Sequence, residues 1–68
     1  MDNYYVNKNP QSNGDHEVHK ISCDELPNPD NRMYLGKFYT CKEAVKEAKK
    51  TYSTADGCKL CIPECHTR

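Results

Sequence analysis

Cys58, Cys61, Cys65 and His66 put three thiols and an imidazole within nine positions, in the run Cys58-Lys-Leu-Cys61-Ile-Pro-Glu-Cys65-His66. Side chains of these types so close together can hold a metal as thiolates, pair as disulfides, or exchange electrons as free thiols. A Cys-x-x-Cys pair lets two thiolates on a tight turn converge on one ion, and tetrahedral zinc takes four nitrogen or sulfur ligands. Cys58, Cys61, Cys65 and His66 therefore form the first candidate zinc set. Adjacent Cys65 and His66 are awkward as ligands to a single ion, so His19, Cys23 and Cys41 stand as substitutes for either of them.

The competing chemistries have their own requirements. A disulfide knuckle would bond one tail thiol to Cys23 or Cys41, but five Cys leave an odd thiol under full oxidation. A thioredoxin-like role for Cys58 and Cys61 wants the first thiol exposed at a helix N-terminus after a strand, and here the pair sits in the tail. Cys61-x3-Cys65-His66 is one residue longer than the Cys-x-x-Cys-His haem-attachment pattern. The opening segment Met1-Asp-Asn-Tyr-Tyr-Val-Asn-Lys8 lacks the basic and apolar regions of a secretory signal, so a cytoplasmic setting is expected. Clustered Cys in that setting favour metal over structural disulfides.

A chain of 68 residues with 35% hydrophobic side chains, no Trp and one Phe builds only a thin core. So short a domain buries about 60% of its unfolded surface, which makes a covalent or metal staple the expected source of extra stability. No apolar run approaches the ~20 residues of a membrane-spanning helix. Net charge is zero, but residues 1–36 carry three basic and six acidic side chains whereas residues 37–68 carry seven and four. An excess of three positive charges in the second half is too small for a dedicated nucleic-acid binder. Lys42, Lys46, Lys49 and Lys50 read instead as a solvated helix face. No phosphate loop, Ser/His/Asp order or carboxylate pair is present, so no catalytic residue is expected and the partner class is protein.

The elements that must position the thiols are legible in outline. Residues 4–6 open a strand, Asn13-Gly14 is a hairpin signal, and residues 16–22 read as a second strand with His19, Ile21 and Cys23 on one face. His16 and His19, three apart on a strand, face opposite ways. Asp24 to Asn31, with two prolines, is a loop. Residues 32–39 form a third strand in which Gly36 marks a bulge. Thr40 and Glu43 form a capping box for a helix running to Tyr52, whose apolar stripe is Cys41, Ala44, Val45, Ala48 and Tyr52. Cys41 on that stripe reads as a small buried hydrophobe. Ser53 to Gly57 read as a turn into the tail.

The expected fold is a single α+β domain over residues 1–68: a three-stranded antiparallel sheet (4–39), one helix packed on it (40–52) and a cysteine-rich knuckle (53–68). The pattern Tyr34-Leu-Gly-Lys-Phe38, Cys41-x2-Ala44, Ala48, Tyr52, Asp56-Gly-Cys58-x2-Cys61-x3-Cys65-His66 resembles small bacterial and phage hypothetical proteins that share a DGCxxCxxxCH tail. The resemblance spans about the C-terminal half, and Leu35 to Ala44 is also similar to the strand-to-helix step of tiny ββα-type modules. It implies a fold and brings no activity with it. The leading expectation is a zinc-stabilised binding or adaptor module without catalysis. Behind it stand a disulfide-stabilised secreted or surface interaction domain and a small thiol redox protein.

Overall fold

The computed structural model describes residues 1–67. Strand β1 (Asp2–Asn7) and strand β2 (His16–Lys20) form an antiparallel hairpin in which Tyr5 faces His19 and Val6 faces Val18. The intervening turn formers close on themselves: Asp15 N–H donates to Asn13 Oδ1 at 2.9 Å and Gln11 N–H donates to the Asp15 carbonyl at 2.8 Å. Gly14 sits at φ +90°, a conformation that glycine adopts without a Cβ penalty. Strand β3 (Arg32–Phe38) pairs antiparallel with the other side of β1. Its register breaks between Tyr4 and Tyr5, so that Tyr4 faces Gly36 and Tyr5 faces Tyr34. Leu35 is the extra residue, and Gly36 at φ +130° absorbs the bend.

Helix α1 (Cys41–Ala48) begins where the capping box places it. Thr40 Oγ1 accepts from the Glu43 N–H at 3.3 Å and donates to Glu43 Oε1 at 3.0 Å. Cys41, Ala44 and Ala48 are buried, and small side chains on this face let the helix lie close to the sheet. The helix stops at Ala48 instead of reaching Tyr52. The Tyr52 N–H still donates to the Ala48 carbonyl at 2.9 Å, but its ring turns out to stack on His16, with centroids 3.9 Å apart and planes 13° from parallel.

The sheet has four strands, not three, and it is mixed. A short strand β4 (Ala55–Gly57) pairs parallel to β2, in register His16 to Ala55, Glu17 to Asp56 and Val18 to Gly57, giving the order β3-β1-β2-β4. Three residues ending in Asp-Gly look like a turn in sequence. What extends them is long-range pairing, continued by the Cys58 N–H to the Val18 carbonyl at 2.9 Å and by Thr54 Oγ1 donating to the Gly14 carbonyl at 2.9 Å. A parallel pair needs a long crossover, and β3 with α1 supplies it. β2 thereby becomes an interior strand with Val18 and His19 both buried.

The core joins Tyr4, Val6 and Val18 of the sheet to Ala44 and Ala48 of the helix and to Ala55, Cys58 and Ile62 of the tail. At Gly57 a Cβ would lie 2.7 Å from the backbone carbonyl of Cys65, so only glycine lets the tail fold back here. Cys65, in the 3-10 turn Pro63–Cys65, is disulfide-bonded to Cys41 at the first turn of α1, with Cα atoms 6.3 Å apart. Among the described residues no helix is long and apolar enough to cross a membrane.

Candidate metal centre

Two chain reversals build one cluster. β2 ends just past His19, and the Cys23 N–H donates back to the Lys20 carbonyl at 3.0 Å, which swings Cys23 beside the histidine ring. β4 delivers Cys58 next to the same strand, and the Ile62 N–H to the Cys58 carbonyl at 3.0 Å bends Cys61 over it. The ligand atoms of His19, Cys23, Cys58 and Cys61 all lie within 4.8 Å of one another, an arrangement that could hold a metal ion. Cys23 Sγ is 3.5 Å from His19 Nδ1 and 3.9 Å from Cys58 Sγ. His19, Cys23 and Cys58 are buried, and Cys61 is half-buried beside a hollow lined by Ser22, Cys23, Asp24 and Leu60.

The tail candidates separate. Cys58 and Cys61 enter the cluster, whereas Cys65 is bonded to Cys41, which removes both of those sulfurs from the choice of ligands. His66 points elsewhere: its Nδ1 donates to the Gly57 carbonyl at 3.0 Å and lies 3.4 Å from Asp56 Oδ2. The physical reason is the 3-10 turn Pro63–Cys65, which carries the chain from Cys61 toward the start of the helix. His19 and Cys23, the substitutes from the N-terminal half, take the places nearest Cys58 and Cys61. Strand parity over residues 16–22 does not account for this: β2 ends at Lys20, Ile21 of the expected face is exposed, and a turn after Lys20 brings Cys23 beside His19.

Burial sets the charge state of the metal-free cluster. Loss of water raises the Cys58 thiol and pushes Cys61 up to about 12, with the Cys23 side-chain hydrogen bond adding to the shift at Cys61. The same desolvation holds His19 below its ordinary value. All three shifts favour the neutral forms of Cys58, Cys61 and His19 in the absence of a cation. A divalent soft ion changes that balance, because it supplies the positive charge that buried thiolates need. Three sulfurs and one nitrogen form a donor set for thiophilic metals and not for calcium or magnesium, which require oxygen. Comparison with protein-family models, curated proteins and solved structures returned no match.

Proposed function

We propose that the protein is a small zinc-stabilised binding module in which His19, Cys23, Cys58 and Cys61 bind one ion and tie the tail to the sheet. The observation that carries the reading is the spacing of the donors. Zn–S bonds of about 2.3 Å and a Zn–N bond of about 2.05 Å in a tetrahedron require S···S edges of about 3.8 Å and S···N edges of about 3.5 Å. The Cys23–Cys58 and Cys23–His19 separations of 3.9 and 3.5 Å match one edge of each kind, and the remaining donor pairs lie within 4.8 Å. Four protein donors fill a tetrahedral shell, which leaves no position for water or substrate and makes the ion structural, not catalytic. Its binding energy is then folding energy. As a binding module its partner class is protein, and the metal's part is to fix the surface, not to touch the partner.

Native mass spectrometry of the full chain tests this. One zinc per chain, lost on denaturation with Cys23, Cys58 and Cys61 then open to alkylation, is the expected result. A metal-free chain whose amide spectrum and thermal midpoint do not change on zinc addition or exhaustive chelation would sink the proposal.

The Cys41–Cys65 bond favours a second reading, a disulfide-stabilised interaction domain acting outside the reducing cytosol. In that case the same spectra show a mass four hydrogens below the fully reduced chain, with Cys23 and Cys58 also joined and only one thiol left to alkylate.

A further inference from the structure

We propose that Glu17 is the positioning residue of the metal centre: when the ion binds, its carboxylate closes from 3.7 Å to accept from the His19 Nε2–H and fixes the imidazole with Nδ1 toward the ion. The proposal rests on the zinc reading above and adds which histidine nitrogen binds and what holds the ring. His19 is 1% exposed, and its Nε2 has no hydrogen-bond partner among the described residues. A buried imidazole N–H without an acceptor is costly, so a nearby acceptor has to be accounted for. Glu17 Oε1 lies 3.7 Å from that nitrogen, while Nδ1 on the opposite side of the ring is the atom 3.5 Å from Cys23 Sγ. The two nitrogens therefore have distinct surroundings, one of sulfur and one of carboxylate.

The strand explains the pairing. Residues 17 and 19 alternate onto the same side of β2, which lets the carboxylate and the ring come within 3.7 Å. Glu17 itself is half-buried, with Gln11 as a side-chain hydrogen-bond partner. A carboxylate partly removed from water next to an orphaned ring nitrogen gains by accepting its proton in a hydrogen bond. When Nδ1 donates its lone pair to a cation the Nε2–H becomes more acidic and that bond strengthens. Outer carboxylates of this kind orient metal-bound histidines and raise their basicity.

The test compares the full chain with Glu17→Gln and Glu17→Ala, reading zinc affinity by competition with a chromophoric chelator, the cobalt visible spectrum, and long-range nitrogen–proton NMR of the His19 ring. A glutamine carbonyl can still accept from Nε2, whereas alanine cannot. The expected result is a loss of about 10–100-fold in zinc affinity for the alanine variant, with most of it restored in the glutamine variant. In the zinc-loaded wild type, NMR should show Nδ1 bound to metal and the proton on Nε2. An alanine variant within twofold of wild type and with an unchanged cobalt spectrum would overturn the proposal, as would zinc on Nε2. A wild-type chain that binds no zinc would overturn the metal reading and this role together, and that outcome is visible before any variant is compared.

Discussion

Cys61 and His19 are displaced in opposite directions by one cause, the loss of water, and each shift favours the uncharged form. For His19 the unfolded chain takes up a proton below the ordinary 6.5 while the folded chain resists it, so metal-free stability is present above that value and falls as the pH drops below it. For Cys61 the unfolded thiol ionises above 9.0 while the folded one keeps its proton to about 12, so stability falls again across that interval. Urea midpoints of the chelated protein against pH should trace a plateau between these limits, and a midpoint still rising at pH 10 would contradict the burial of these groups. On the proposed zinc reading the thiol side of the profile inverts, because the ion would bind thiolates. The zinc-dependent gain in midpoint should grow with pH and vanish first in acid. Cys58→Ser or Cys61→Ser should abolish stoichiometric zinc binding, whereas Cys65→Ser should leave one zinc per chain. That Cys58 and Cys61 lie together in one cluster was legible because a two-residue spacing fixes local geometry. That His19 and Cys23, and not Cys65 and His66, sit beside them was not legible, since it depends on the direction in which the turn Pro63–Cys65 carries the chain.

Among the elements, those specified by neighbours in sequence could be read directly and those specified by distant ones could not. Thr40 and Glu43 announce the start of α1, and Asn13-Gly14 announces the hairpin, because each is a local hydrogen-bonding device. Removing the cap with Thr40→Ala should cost about 1 kcal/mol in chemical denaturation without altering zinc stoichiometry. β4 carries no such local signature. Its three residues owe their extended form to β2 and to the tail that lies across Gly57. Gly57→Ala would force a methyl against the Cys65 backbone, and overpacking of this kind costs about 1–3 kcal/mol. Because β4 runs straight into Cys58, the same variant should also weaken zinc binding; a variant with full affinity and an unchanged denaturation midpoint would show that the tail does not pass over Gly57.

In the molecule as a whole, a thin core is held to the tail at two places among the described residues: the disulfide from α1, and the cluster of His19, Cys23, Cys58 and Cys61 beside β2. Cys41 and Cys65 are separated by 24 residues, and a crosslink of that span is worth about 3.5 kcal/mol in the chain-entropy account. A Cys41→Ser, Cys65→Ser double variant should lose stability of that order in urea, and saturating zinc should recover part of it through the second closure. Equal stability of the variant and the oxidised parent would show that the bond constrains nothing. The bulge at Leu35 and Gly36 matters on the same scale. β3 and β4 are the outer strands, and β3 is the longer, seven residues against three. A flat strand of that length with an open edge is a template for another chain to pair with. The bend at Gly36 and the charge at Lys37 interrupt that template, so the glycine that looks like a local concession to geometry also makes the exposed edge of β3 a poorer surface for a second chain to pair with.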